Sequence, residues 1–237
     1  MSKAPNPKIF KPMTQKKSLQ FMLLGLLWLL FSIPVITCGA ATCSVFYIAF
    51  KILNDKDTSN LFKLFLKGIK ENFVQGLLMS VISAVTIGGA GFFIGWILNE
   101  SDRGILLILL AFALVIIVLV LNIFTYPLIG RYENSFVNVL RNTVALSFTY
   151  GRQTLRMTAF VAAALGIAGA LFRLNLIAGV ISLLFWPSLI FYIISSFMAW
   201  IFYKVENPIK YDENGDPVDV SQDAQNETKN QNEEIES

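Results

Sequence analysis

Two thiols are the first residues whose type and spacing could support chemistry. Cys38 and Cys43 lie five positions apart in an otherwise apolar stretch. Facing an oxidising exterior, they could form a disulfide. A thiol also packs well as a small hydrophobic side chain, and we favour that interpretation, with both cysteines buried. The spacing alone leaves the pairing open.

Catalytic and metal-binding signatures are missing from the sequence. The chain contains no His, the commonest general base and the commonest metal ligand. It also contains no phosphate-binding Gly loop, no HExxH motif, no Cys/His metal spacing and no Gly-x-Ser-x-Gly motif. The sequence therefore predicts no catalytic residue, no cofactor and no metal site, and we expect that the protein is not an enzyme.

Two segments, residues 51–72 and 131–152, predict short amphipathic helices with a basic or polar side and an apolar side. Asp57 or Thr58 is expected to cap the first. Helices of this kind lie along a membrane surface, so both are expected at the cytoplasmic face. The residues predicted for surface attachment or docking are Lys63, Lys67, Lys70 and Arg141.

Two breaks in apolar segments are the places where a small solute could pass. Proline removes a backbone donor, and irregular backbone within a membrane must face protein or water. The residues predicted at these breaks, or along a solute path, are Pro34, Thr37, Gly39, Thr42, Trp186, Pro187 and Ser188.

Small residues at every fourth position predict close packing between helices. Asn122 lies near the inner end of an apolar segment, and it is expected to meet headgroup water rather than bond a neighbouring helix. The residues predicted to form packing seams are Gly91 and Gly95 in one segment, and Ala162, Gly166 and Ala170 in another.

The stretch from Ser18 to Phe50 places all of these residues in a membrane protein. It holds 33 residues without one charged side chain, in a chain that is 55% hydrophobic and only 15% charged. A single helical crossing needs roughly 20 apolar residues, so the stretch exceeds one crossing and falls short of two comfortable ones. Pro34 and Gly39 favour a hairpin with a long first arm and a short second arm. Whether residues 38–50 cross fully or re-enter stays open.

The distribution of charge predicts the orientation of the chain. The net charge of +3 combines an acidic end, with ten acidic and three basic residues from Lys204 onward, and a cationic remainder. Lysines between apolar segments favour the cytoplasm, and the pattern is not that of a nucleic-acid-binding patch. Two crossings before Lys51 return residues 51–72 to the cytoplasm. We therefore expect both termini inside.

The expected fold is an all-α polytopic transmembrane bundle of about six crossings with two surface helices. The crossing of residues 105–126 is expected to end at Pro127, and Pro187 to kink or open the last helix. A shared Gln-x-Leu-x-Met pattern at Gln75 and Gln153, offset by 78 residues, favours an internal repeat of a surface helix and two crossings. The expected domains are a basic tail, residues 1–17, a transmembrane domain, residues 18–203, and an acidic disordered tail, residues 204–237.

The segment from Leu27 to Thr37, followed by Gly39 and Ala41-Thr42, resembles the opening signature of the YesL-like family, bacterial integral membrane proteins catalogued as domain of unknown function 624. Residues 61–72 and 126–142 agree in place and style. Cys38 and Ala40 depart from the aliphatic residue and the Pro expected there. The likeness covers roughly residues 15–205.

The resemblance implies a bacterial plasma-membrane protein associated with carbohydrate import, because genes of this family commonly lie beside sugar ABC transporter permeases. The expected partners are the lipid bilayer and a sugar ABC permease or ATPase subunit, or a second copy of the chain. The expected function is an accessory or regulatory component of carbohydrate ABC transport. The alternative is a small stand-alone transporter or channel for a small solute.

Overall fold

Eight α-helices make up nearly all of the chain that the structure describes. The structure is a computed structural model and describes residues 14–99, 104–206, 210–211 and 217–218. Two short strands, β1 (Lys210–Tyr211) and β2 (Pro217–Val218), pair in an antiparallel manner. The helices are α1 (Gln15–Ser32), α2 (Val35–Leu53), α3 (Leu61–Glu71), α4 (Phe73–Asn99), α5 (Gly104–Arg131), α6 (Phe136–Thr149), α7 (Gly151–Leu174) and α8 (Leu176–Glu206).

Five of these helices are long and apolar enough to cross a membrane: α2, α4, α5, α7 and α8. Helix α1 lies outside this group because its first turns contain Lys16, Lys17 and Gln20. The structure thus confirms the expected class, a helical membrane protein.

Helix α2 forms the centre of the packing. Its membrane-length segment is 61% buried, against 11–25% for the other four apolar helices. It contacts α1, α3, α4 and α5, and Phe46 packs edge-on against Phe191 of α8 at 5.5 Å between ring centroids. Small side chains make this possible, since Ala40, Ala41 and Ala49 are fully buried. Helices α1, α3, α4 and α5 therefore pack around this one.

The break at Pro34 was predicted correctly, and the lengths of the two arms were not. Helix α1 ends at Ser32, and α2 begins at Val35. The arms contain 18 and 19 residues, so neither is short. Gly39 lies inside α2, where it serves packing and does not interrupt the helix.

Pro127 lies within a continuous helix, contrary to expectation, and Pro187, predicted to kink or open the last helix, does not end it. Helix α5 runs through Pro127 to Arg131, and α8 runs through Pro187 to Glu206. A proline inside a helix removes one backbone donor, and its ring crowds the carbonyl four residues earlier, so surrounding contacts must hold the turn in place. Pro127 is buried and followed by the buried Leu128, so packing holds this turn in helical form.

Two short helices, α3 and α6, lie within the segments predicted to form amphipathic helices, with boundaries that differ from the prediction. Helix α3 begins after Asn60, which makes no side-chain capping bond, so neither Asp57 nor Thr58 is the cap. Ser135 caps α6, its hydroxyl accepting from Asn138 N. Helix α6 ends at Thr149, and α7 begins at Gly151, earlier than expected. The helices α4 and α7 start 78 residues apart, the offset of the expected repeat.

The chain divides into two compact units, the first ending at Ala199 and the second beginning at Trp200. In the second unit, the Lys204 ammonium lies 4.3 Å from the centre of the Trp200 ring. Most of the tail predicted to be acidic and disordered lies outside the described residues, as do residues 1–13 of the basic tail.

Candidate functional site

A groove of about 510 Å³ along α3 contains the lysines predicted for docking. Lys63, Lys67 and Lys70 lie three and four residues apart, which places them on one face of the helix. Leu64 and Leu66 form apolar parts of the groove wall. The remaining lining residues are Asp57, Ser59 and Asn60, from the loop that leads into α3.

The opposite face of α3 is fixed against α2. The Ser44 hydroxyl donates to the Phe65 carbonyl at 2.7 Å, and Phe65 is fully buried. A Cβ added at Gly68 would lie 3.1 Å from Ser44 Cα, so the two helices are in close contact there. Phe31 of α1 also meets the Phe65 ring, at 5.4 Å between centroids. This packing turns the lysines away from the protein interior.

The loop before α3 is anchored to the start of α1. Lys17 Nζ lies 2.8 Å from Asp55 Oδ1, and the Lys17 side chain is only 11% exposed. Gln20 Nε2 donates to Thr58 Oγ1 at 2.9 Å. Asp55 has a φ of 53°, a left-handed backbone conformation that Asp tolerates better than most residues. Together these contacts set the position of the groove's loop wall.

The groove carries a net positive charge. The Asp57 carboxylate accepts the Ser59 backbone N–H at 2.9 Å and the Ser59 hydroxyl at 3.4 Å, which lowers the pKa of Asp57 below its usual value. At neutral pH this group is ionised and offsets one of the three lysines. Lys67 also pairs with Glu71 at 3.6 Å, an exposed contact of little energetic weight. The groove therefore combines mostly apolar walls with a net positive charge on its lining residues.

Arg141 does not belong to this groove. It lies exposed on α6, and the groove is lined by residues 57–70. The buried face of α6 includes Val139 and Thr143, and the Thr143 hydroxyl lies 3.1 Å from that of Thr125 on α5. The docking role of Arg141 stays a prediction.

The first predicted break is closed by its own side chains. The Thr37 hydroxyl donates to the Pro34 carbonyl at 2.9 Å and also contacts the Phe31 carbonyl. Trp28 Nε1 donates to the Thr42 hydroxyl at 2.9 Å, which ties α1 to α2. Gly39 faces Gly76, so α2 and α4 meet backbone to backbone. Pro34, Thr37, Gly39 and Thr42 therefore have packing roles, and a solute path along them stays a prediction.

The second predicted break is a packed helical segment. Pro187 is buried, and Trp186 and Ser188 are half-buried. The Ser188 side chain faces Gly25 of α1, where an added Cβ would meet the Ser188 hydroxyl and lie 3.2 Å from Ser188 Cβ. The Ser188 hydroxyl is buried without a hydrogen-bond partner among the described residues.

The predicted small-residue seams are exposed in the described chain. Gly91, Gly95, Ala162, Gly166 and Ala170 all lie on the protein surface, and a Cβ added at Gly91 or Gly166 would meet no atom within 4 Å. Among the described residues, Gly91 and Gly166 do not hold two helices in close contact. The glycines that do are Gly25, Gly39, Gly68, Gly76, Gly130 and Gly179.

Polar contacts join α4 and α5, and the sequence analysis did not predict them. The Ser83 hydroxyl donates to Asn122 Oδ1 at 2.9 Å, so the expectation that Asn122 meets only headgroup water is wrong. One turn away, the hydroxyls of Ser80 and Tyr126 lie 3.4 Å apart. Serines three apart on one segment, opposite Asn and Tyr four apart on the next, were the available signal. Cys38 and Cys43 are free thiols, half-buried and buried.

The helices α1 to α4 that build the groove and its support coincide with a recognised sequence family. Residues 21–93 match the DUF624 family. Its description is a protein of unknown function, and the resemblance to YesL-like proteins is consistent with it. The DUF624 segment begins at Phe21, ends at Phe93, and includes every residue that lines the groove. No curated protein and no solved structure matches the chain.

Proposed function

We propose that this protein is an accessory or regulatory component of a carbohydrate ABC transport system in the bacterial plasma membrane, with both termini in the cytoplasm. We propose no catalytic activity for this protein. It draws on the resemblance to YesL-like proteins and on one structural observation, the exposed small-residue faces of α4 and α7. Gly91 and Gly95 leave a shallow surface at which a helix of a permease subunit can approach closely.

The proposal extends to the topology. The α1–α2 pair enters the membrane and returns, which keeps α3 with its lysines on the side of the N-terminus. Two further helix pairs, α4 with α5 and α7 with α8, then bring the C-terminus back to that side. This arrangement leaves every lysine-bearing connection in the cytoplasm.

Copurification tests the accessory role. The tagged full chain, extracted from its native membrane in a mild detergent, is expected to bring a permease or ATPase subunit in fixed ratio. Gly91→Leu with Gly95→Leu is expected to reduce the copurified subunit at least tenfold, because the added side chains separate the helices. Leu78→Phe with Ile82→Phe, which adds bulk at exposed positions on another face of the same helix, is the matched control. Equal recovery with both variants would contradict this contact.

One observation favours the alternative, a small transporter or channel. The hydroxyls of Ser188 and Ser195 are buried without a hydrogen-bond partner among the described residues. The two residues lie seven positions apart on α8 and so share one face of that helix. Unpaired hydroxyls within an apolar helix are suited to line a polar path. Solute flux into liposomes that hold this chain alone would support the alternative.

A further inference from the structure

We propose that the groove along α3 binds the headgroup of an anionic phospholipid. This inference is independent of the proposed transport role. It concerns the lining residues 57–70, and none of the seam residues of α4 or α7 takes part.

The charge of the lining residues favours an anionic ligand. The lining residues carry three ammonium groups and one carboxylate, a net of +2, and the lysines follow one another along a single helix face. Lysines at consecutive turns suit a phosphate group with several oxygen atoms, since each ammonium has three donors. The hydroxyl of Ser59 and the amide of Asn60 add neutral polar groups at the loop end, where a glycerol headgroup would lie.

The apolar surface beside the lysines favours a phospholipid over free phosphate. Phe62 and Leu66 are 55% and 40% exposed, and both lie on the flank of α3 between the lysine face and the α2 contact. A helix with this distribution lies in the membrane interface, with its apolar flank among the acyl chains and its lysines at the level of the phosphates. Free phosphate would make no use of this flank or of the leucine walls of the groove.

Native mass spectrometry of the full-length protein tests the proposal. The protein in detergent is titrated with phosphatidylglycerol, with phosphatidylcholine, and separately with inorganic phosphate. We expect retention of phosphatidylglycerol over phosphatidylcholine. We expect that Lys63→Gln with Lys67→Gln and Lys70→Gln weakens phosphatidylglycerol binding on the order of a hundredfold, from about a factor of five for each lysine.

The matched control removes three exposed basic side chains outside the groove: Lys56→Gln, Arg152→Gln and Arg156→Gln. It is expected to retain phosphatidylglycerol. Equal loss with both triple variants would mean that overall charge alone attracts the lipid, and the groove proposal would fall. Saturation by inorganic phosphate at concentrations equal to those of the lipid would overturn the assignment to a lipid. All of these variants change exposed side chains, so folding is not at stake.

A different observation, the register of the helix contacts, carries a second proposal. We infer that α1 and α2 form a re-entrant hairpin whose tip at Ile33 and Pro34 stays within the hydrocarbon, so that α4, α5, α7 and α8 are the full crossings. This replaces the expected six crossings and keeps both termini on the same side.

The contact of Gly39 with Gly76 shows how far the tip reaches. Beyond Gly39, α2 has only four residues back to Val35, about 6 Å of helix, whereas α4 continues from Leu77 to Asn99 for about 35 Å. The tip therefore ends well short of the far end of α4.

The residues at the α1–α2 tip also suit a position within the hydrocarbon. Ile33 is 76% exposed and Ile36 60% exposed at a turn without a charged residue, whereas the α4–α5 link contains Glu100, Asp102 and Arg103. In hydrocarbon, backbone carbonyls freed by a break need a partner from the protein. The Thr37 hydroxyl supplies it, contacting the carbonyls of both Phe31 and Pro34.

Cysteine labelling from both sides of the membrane tests this topology. Ile33→Cys and Leu174→Cys place a thiol at the α1–α2 tip and at the α7–α8 turn, both at exposed positions, and the parent chain sets the background from Cys38 and Cys43. With a membrane-impermeant maleimide, Leu174→Cys is expected to react from one side. Ile33→Cys is expected to stay at background in intact cells and in inverted vesicles alike. Labelling of Ile33→Cys from either side would overturn the re-entrant hairpin.

Discussion

Replacing Gly76 by Ala is expected to lower the thermal midpoint of the detergent-solubilised protein by roughly 6–12 °C. A Cβ at this position would lie 2.6 Å from Ala40 N and 2.7 Å from the Gly39 carbonyl carbon, so it would meet backbone that cannot rotate away. Forcing extra volume into a close-packed site costs about 3 kcal/mol when backbone must shift. For a protein of this size, 1 kcal/mol corresponds to roughly 2–4 °C.

Gly88→Ala is the matched control, on the same helix and with the same change. A Cβ there would meet no atom within 4 Å, and Ala is the better helix former by about 1 kcal/mol. We expect an unchanged or slightly higher midpoint. Gly39→Ala, made from the other side of the contact, should repeat the loss seen with Gly76→Ala. Equal midpoints for Gly76→Ala and Gly88→Ala would contradict the backbone contact between α2 and α4.

These glycines show where reasoning from the sequence ends. Spacing identified Gly91 and Gly95 as able to admit a close helix, and the structure uses Gly39 and Gly76 instead. Any helical glycine lacks the side chain that would hold a neighbour away. Which of them meets another helix depends on contacts between residues that are distant in sequence, and a single sequence contains no record of those contacts.

The prolines lead to the same conclusion from local structure. Pro34 separates α1 from α2 as predicted, whereas Pro127 and Pro187 lie inside continuous helices. A proline inside a helix costs on the order of 3 kcal/mol, which packing of the flanking turns can offset. At Pro34 the helix ends because the chain also reverses direction there. The membrane class, the amphipathic α3 and the break at Pro34 follow from hydrophobic length and period. The central place of α2 does not.

The groove was predictable in part for a related reason. Helical periodicity placed Lys63, Lys67 and Lys70 on one face, and in the structure all three line one groove. Its loop wall was not predictable, because Asp57, Ser59 and Asn60 are positioned by contacts of their loop with α1. Lys17 and Gln20 supply those contacts, 38 residues away in the case of Gln20 and Thr58.

Breaking the Lys17–Asp55 pair is the second change with a large expected effect. The loss of stability depends on which of the two residues is replaced. Asp55→Asn keeps the shape and the tolerance for a positive φ, but it removes the counter-charge of an ammonium that is nearly buried. We expect a loss of about 2 kcal/mol of stability, at the low end for breaking a buried pair because the Asp55 side chain is 43% exposed. Lys17→Met leaves the carboxylate partly in water and should cost less than about 1 kcal/mol.

A double-mutant cycle with thermal unfolding in detergent separates the pair from its two members. The combined variant should be closer in stability to Lys17→Met than to Asp55→Asn, because the second change removes the buried charge that the first had left unpaired. Glu71→Gln, which breaks the exposed pair with Lys67, is the control and should change stability by less than about 0.5 kcal/mol. If Asp55→Asn and Glu71→Gln have equal effects, Lys17 is solvated and the loop is not anchored through it. If Asp55→Asn alone also weakens phosphatidylglycerol binding, the anchor at the start of α1 determines the shape of the groove, since Asp55 itself does not line it.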